Sequence, residues 1–98
     1  MRIAASTKET IFIHDIRGPI GVDLSTLDYL IAVLPQGPNP EPTDYHPAIW
    51  DEDESAPGLL IGVDTDVPLE AGTTYDVWWT TVNGNEAPVQ MAGPLKAF

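Results

Sequence analysis

Hydrophobic and polar positions alternate over much of this chain, which predicts short β-strands rather than helices. In residues 9–14, Ile11 and Ile13 fall on one face and Phe12 on the other, as in a half-buried first strand. Further strands are expected at residues 20–22, 48–50, 59–63 and 75–81, and a last strand over residues 88–98 is expected to break near Gly93 and Pro94.

The run at residues 28–34 is almost entirely apolar and predicts a central strand that is buried on both faces. A helix capped by Ser25 or Thr26 is the alternative, but the short run and the stop at Pro35 favour a strand. Residues 35–47 contain five prolines and are therefore expected to form an extended loop.

The pattern L-x-x-G-x-x-Y-x-V is formed by Leu69, Gly72, Tyr75 and Val77. In immunoglobulin-like and fibronectin-type sandwiches it marks a corner between two sheets, where the tyrosine hydroxyl bonds to backbone a few residues upstream. Gly72 falls where a turn often requires a positive φ. With the other strand signals, the corner predicts an all-β, immunoglobulin-like or fibronectin-like β-sandwich of about six to seven short antiparallel strands.

Composition fits one small domain spanning residues 1–98. Its 43% of hydrophobic residues can build a core, and its ten prolines and eight glycines favour turns, including a tight hairpin at Asn83 and Gly84. The absence of cysteine excludes disulfides and favours synthesis in a reducing cytoplasm. The start of the chain lacks a signal-peptide pattern and no apolar stretch is long enough to span a bilayer, so no membrane partner is expected.

Charge is distributed unevenly along the chain. Fifteen acidic residues oppose four basic ones for a formal net charge of −11, and residues 18–95 contain no lysine or arginine. A body of this sign repels phosphate, so no nucleic-acid partner is expected. The near-neutral N-terminal segment, with residues 1–8 as an arm, or an exposed sheet edge is expected to dock onto a partner. The candidate partner-binding residues are Arg2, Ile3, Lys8, Phe12, Arg17 and Trp78.

Two acidic stretches, Asp51–Glu54 and residues 64–66, contain the carboxylates that calcium prefers. They do not fit the helix–loop–helix calcium loop, because the sixth position counted from Asp51 is Ala56 rather than glycine. An irregular loop site for calcium and a solvated acidic loop are the two interpretations. The two histidines are far apart in sequence and no nucleophile motif is present, so we expect no metal, no cofactor, no catalytic residue and no enzyme activity.

The aromatic residues divide between the core and a candidate surface. Tyr75 and Trp79 share one face of their strand and are expected in the core, whereas Trp78 points to the other face. Trp78 either covers the edge of the fold under the proline-rich loop or is an exposed anchor for a partner, since tryptophan is enriched at interface hot spots. Trp50, at the start of the acidic loop, is expected to be half-buried.

A longer set of positions carries a resemblance to a known group of proteins. The set comprises Pro42, Tyr45, Ala48, Trp50, Asp51, the run Leu59-Leu60-Ile61-Gly62, the corner pattern followed by Trp78, and the run Glu86-x-Pro88-Val89-x-x-x-Gly93-x-Leu95. In these positions the chain resembles short virion structural proteins of tailed phages that infect actinobacteria. The resemblance supplies no catalytic residue.

The resemblance implies a non-enzymatic capsid decoration or minor capsid protein that binds the outer surface of the shell. It implies the major capsid protein or another virion protein as the partner, with self-association on the particle also open. The location would be the virion, after synthesis in the host cytoplasm. Two alternatives are a head–tail connector or tail component, and a glycan- or surface-binding module that would use an exposed Trp78 or Trp50.

Overall fold

Strands account for most of the structure of this chain. The computed structural model describes residues 1–14, 16, 23–81 and 90–98. Its strands are β1 (Arg2–Ile3), β2 (Lys8–Phe12), β3 (Tyr29–Pro35), β4 (His46–Asp51), β5 (Ala56–Gly62), β6 (Thr74–Thr81) and β7 (Gln90–Ala97). Two 3-10 turns, at Leu24–Thr26 and Pro42–Asp44, precede β3 and β4. The predicted all-β fold is confirmed, and the described residues contain no helix long and apolar enough to cross a membrane.

The strands form one mixed sheet in the order β1-β7-β6-β3-β4-β5-β2, which folds over on itself at β4. The first half of β4 pairs with β3 through residues such as Ala48, whereas its second half pairs with β5 through Ile49, Trp50 and Asp51. One strand therefore belongs to both layers of a nearly closed sandwich. The sequence predicted antiparallel strands, and five of the six pairings are antiparallel; β1 runs parallel to β7.

The core is built from the inward-facing positions of β3 and β6. Ile31 lies opposite Trp79 and Val33 lies opposite Val77, and all four side chains are buried. Ala32 points to the other face of β3 and is also fully buried. The prediction of a central strand buried on both faces is therefore confirmed at this position, and period-2 alternation explains which residues face inward.

The predicted corner is present between β5 and β6. The backbone N–H of Glu70 donates to the Tyr75 hydroxyl over 2.8 Å, while the Tyr75 ring is only 7% exposed. Gly72 has φ +89°, and its N–H donates to the Ala97 carbonyl over 2.9 Å. Leu69 packs against the core from outside. The corner thus ties the connection before β6 to the end of β7.

A second tyrosine, which the sequence did not single out, holds the entry to β3. The Tyr29 hydroxyl donates to the Leu24 carbonyl over 2.8 Å, and burial raises the pKa of Tyr29, with a further contribution from the charge of Asp23. Asp23 caps the 3-10 turn by accepting from the Ser25 hydroxyl and amide, and these bonds lower the pKa of Asp23. The turn and the first residue of β3 are therefore fixed to each other.

Residues 1–8 do not form a detached arm, so that part of the sequence prediction is corrected. Ile3 is 2% exposed and lies in the core, and β1 pairs with the end of β7. The Phe98 N–H donates to the Ile3 carbonyl over 3.0 Å, and the Ala5 N–H donates to the Phe98 carbonyl over 2.8 Å. A two-residue strand is too short to give a sequence pattern, which is why this pairing was not predicted.

The start of β2 is pinned to β5 by a glycine. Gly62 has φ +112°, and the Thr7 carbonyl group occupies the place where a Cβ atom of residue 62 would stand. The Val63 N–H donates to the same Thr7 carbonyl over 3.2 Å. Position 62 therefore accepts glycine alone, for both conformational and steric reasons.

Two further differences concern irregular segments. β7 is continuous through Gly93 and Pro94, but its pairing with β6 shifts by one residue beside Gly93: Val77 lies opposite Gly93 and Trp78 lies opposite Met91, which leaves Ala92 unpaired. The expected extended loop at residues 35–47 contains the second 3-10 turn. Four predictions lie outside the described residues: the strand at 20–22, the site residue Arg17, the turn at Asn83 and Gly84, and the start of the last strand at 88–89.

Replacing the corner tyrosine tests its hydrogen bond. We expect Tyr75→Phe to lower the free energy of unfolding by about 1–2 kcal/mol, because the Glu70 N–H loses its acceptor. Tyr45→Phe is the matched control, since the Tyr45 hydroxyl is enclosed without a hydrogen-bond partner among the described residues, and its removal is expected to be neutral or stabilising. Urea denaturation measures both. Equal losses in the two variants would contradict the proposed importance of the corner bond.

Candidate protein-binding surface

The structure does not bring the predicted partner-binding residues into one patch. Arg2 is exposed beside the end of β7, where its guanidinium lies 4.9 Å from the centre of the Phe98 ring. Ile3 is in the core and is unavailable to a partner. Lys8 is exposed at the start of β2, and Phe12 is half-buried at its end. Arg17 lies outside the described residues.

Trp78 lies on the outer face of the larger layer, between Ala32 of β3 and Met91 of β7. It is half-buried, and its indole Nε1 is enclosed without a hydrogen-bond partner among the described residues. The 3-10 turn at Pro42–Asp44 lies against the neighbouring strand β3. Trp78 is therefore partly covered by its neighbours and partly open to solvent.

The other two tryptophans face the interior. Trp79 is 4% exposed. Trp50 is half-buried, as expected, and its ring stacks on Tyr29 with centroids 5.9 Å apart and an interplanar angle of 27°. None of the three presents a fully open aromatic face on which a sugar ring could stack.

A different apolar surface, which the sequence analysis missed, lies on the outer face of β2, β5 and β4. Ile49 is 79% exposed and Leu60 is 50% exposed. Ile49 and Phe12 both lie opposite Gly58, so the three form one row across the strands, while Leu60 lies opposite Thr10 in the next row. We call this surface, defined by Phe12, Ile49 and Leu60, the β2–β5–β4 face.

Gly58 is the floor of this face. A Cβ atom at position 58 would lie 2.8 Å from Cε1 of Phe12 and 2.9 Å from Cγ2 of Thr10. The Phe12 ring therefore lies across β5 in space that only a glycine leaves open. This contact fixes the ring beside Ile49 rather than letting it project freely into solvent.

Two shallow depressions meet on the β2–β5–β4 face. One, of about 210 Å³, is lined by residues that include Phe12, Ile49 and Trp50. The other, of about 360 Å³, adds Pro47, Asp64 and Asp66. Ile49, Gly58 and Leu60 line both. The face is thus one continuous surface with a central apolar ridge, open enough to receive side chains from another protein.

Acidic turns bound this face at both ends of β5. Before β5, the Asp51 carboxylate accepts from the N–H groups of Asp53 and Glu54 over 2.9 and 3.1 Å, and Glu54 contacts His14 over 3.0 Å. After β5 come Asp64 and Asp66, both exposed. The described residues contain no group of three or more acids or histidines arranged to hold a metal ion.

A third concavity, of about 390 Å³, lies between the end of β2 and β7. Its lining includes Phe12, His14, Val77, Trp79 and Met91. His14 is the one imidazole or carboxylate group among its lining side chains, and its Nε2 lies 3.0 Å from the Glu54 carboxylate, which is outside the lining.

Comparison with known protein families, curated proteins and solved structures finds no match to this chain. A signal for Ile49 was nevertheless present: the inward placement of Trp50 obliges its neighbours along β4 to point outward. The exposure of a β-branched residue follows from that alternation, although its clustering with Leu60 depends on the register between strands.

A double-mutant cycle tests the packing of Phe12 on Gly58. We expect Gly58→Ala to destabilise the fold by about 1 kcal/mol, because the new methyl group displaces the ring. Phe12→Val lacks the ring atoms nearest to position 58, so the penalty of Gly58→Ala should shrink in that background, giving a coupling of at least about 0.5 kcal/mol. Urea denaturation of the four proteins gives the value. Simple additivity would show that the ring does not occupy this place.

Proposed function

We propose that this protein is a non-enzymatic phage virion structural protein, a capsid decoration or minor capsid protein that binds the outer surface of the shell through its β2–β5–β4 face. The observation that carries the proposal is the exposure of Ile49, the most exposed of the large apolar residues described, and of Leu60 beside Phe12 on one face of the sheet. No described residue of the domain buries Ile49 or Leu60. An exposed apolar cluster with a polar rim is typical of protein–protein contacts.

Burial of this cluster is large enough to anchor a partner. Fully burying one isoleucine or leucine side chain stabilises a contact by about 1.5–3 kcal/mol. Ile49 and Leu60 start from mostly exposed positions, so both can contribute. The strands that carry them are fixed by pairing on both sides of β5, which limits the entropy lost on binding.

The charge of the protein supports a position outside the shell. With a formal net charge of −11 and no lysine or arginine in residues 18–95, the body of the domain repels packaged DNA. A cysteine-free chain is compatible with assembly in a reducing host cytoplasm. The sequence resemblance to virion structural proteins of actinobacterial phages supports the same proposal, with the major capsid protein as the partner.

The alternatives differ in observable ways. A head–tail connector or tail component would use the same face but form a ring, with on the order of dozens of copies per particle instead of hundreds. A glycan-binding module needs an open aromatic platform, and Trp50 stacks inward on Tyr29 while Trp78 is half-buried. The geometry therefore favours a protein partner over a sugar.

Particle binding tests the proposal. Purified shells lacking the protein are incubated with it, and bound copies are counted by quantitative gel densitometry and located by cryo-electron microscopy. We expect saturation at hundreds of copies and at least about tenfold weaker binding for Ile49→Thr/Leu60→Thr, because the apolar anchors are lost. Saturation at dozens of copies on one vertex would favour the connector, and absence of binding would contradict a virion function.

Met91→Thr is the matched control for that experiment. The exposed fraction of Met91 is 53%, similar to the 50% of Leu60, but Met91 lies on β7 in the other layer. All three substitutions exchange an exposed apolar side chain for a strand-compatible polar one, so each should change stability by no more than about 0.5 kcal/mol. Equal binding losses for Met91→Thr and the double variant would show that the β2–β5–β4 face is not the contact.

A further inference from the structure

We infer, on the premise of the proposed function, that the partner segment received by the β2–β5–β4 face has apolar residues flanked at both ends by lysine or arginine. The apolar ridge selects the middle of such a segment, and the two acidic turns select its ends. The occupant is thus a basic-flanked strand or loop of the shell protein rather than a second copy of this chain.

Negative charge is concentrated at the two ends of β5. Glu52, Asp53 and Glu54 are exposed in the turn before the strand. Asp64 and Asp66 are exposed after it, and both line the depression that contains Leu60. An apolar centre with carboxylates on either side is therefore a feature of the site itself and not only of the overall composition.

Among the described residues, few groups that can carry a positive charge lie near these carboxylates. His14 contacts Glu54, and His46 lines the depression beside Asp64 and Asp66. Lys8 lies opposite Gly62 at the second end, which makes that end less negative than the first. Among the described residues no lysine or arginine lies within ion-pair distance of a carboxylate. The first acidic turn should therefore contribute most to attraction of a basic partner.

The spacing of the two turns sets the length of the partner segment. β5 has seven residues, which at about 3.3 Å each span roughly 23 Å. An extended partner segment lying along β5 would need its basic flanks about seven residues apart to reach both ends. Basic residues adjacent in sequence would satisfy only one end.

A second copy of the chain is a poor occupant for the same electrostatic reason. A two-fold symmetric contact uses the same patch on both copies. It would bring the acidic turns of one molecule against those of the other, and like-charge contacts of this kind are strongly unfavourable. Apolar attraction between two faces would therefore be opposed at neutral pH, while a basic-flanked partner gains from both terms.

Labelled peptides test the inference by fluorescence anisotropy. The probes are the nine-residue, end-blocked peptides KKTVTVTKK, EETVTVTEE and KKTSTSTKK. We expect saturable binding of the first with a Kd of about 10–100 μM at low salt, and at least about tenfold weaker binding of the other two. Ile49→Thr/Leu60→Thr should weaken the first complex, and raising the salt concentration to about 0.5 M should weaken it as well.

Charge-matched variants locate the attraction. Glu52→Gln/Asp53→Asn removes two exposed carboxylates from the first acidic turn, and Glu41→Gln/Glu70→Gln removes two exposed carboxylates elsewhere. Both proteins therefore have the same net charge. We expect about threefold to tenfold weaker binding of KKTVTVTKK for the first variant and unchanged binding for the second. Equal effects would indicate attraction by overall charge and would overturn the inference.

The remaining outcomes separate this inference from the function on which it depends. Equal binding of EETVTVTEE, no saturable binding of KKTVTVTKK up to about 1 mM, or dimerisation of the wild-type chain that Ile49→Thr/Leu60→Thr abolishes would each overturn the basic-flanked partner. Shell binding that survives any of these results would leave the virion function standing. Saturable binding of KKTVTVTKK without shell binding would contradict the virion function and would leave only the chemistry of the partner segment supported.

Discussion

The hydrogen bond between the Glu70 amide and the Tyr75 hydroxyl lies where the chain leaves one layer of the sandwich and enters the other. It fixes the start of β6, and β6 in turn carries Val77 and Trp79 into the core between β3 and β7. The corner also bonds to the end of β7, because the Gly72 N–H donates to the Ala97 carbonyl. It therefore aligns β6 with β7 in the larger layer.

β4 connects that core to the β2–β5–β4 face. The first half of β4 pairs with β3 in the larger layer, and its second half pairs with β5 in the smaller layer. Side chains on one face of β4 therefore point into the space between the two layers. The stacking of Trp50 on Tyr29 settles which side faces inward. Ile49 is consequently directed outward, in the same row across the strands as Phe12.

Much of the fold could be predicted from the sequence, and the binding face could not. A continuous apolar run predicts β3, and alternation of apolar and polar residues predicts β6. The spacing of the corner residues is typical of a turn with a known geometry. β1 is too short for any periodicity, and its pairing with β7 joins opposite ends of the chain. The meeting of Ile49 with Leu60 depends on strand register, which a linear pattern does not encode for separate strands.

Gly62, beside the Thr7 carbonyl, affects which side chains of β2 lie on the β2–β5–β4 face. A shift of β2 by one residue would turn Ile11 outward and Phe12 inward, exchanging the core and the contact surface. That alternative arrangement would place the side chain of Ile61 or Val63 where only Gly62 fits. Gly62 therefore favours the observed register of β2, in which Ile11 is buried and Phe12 lies on the outer face.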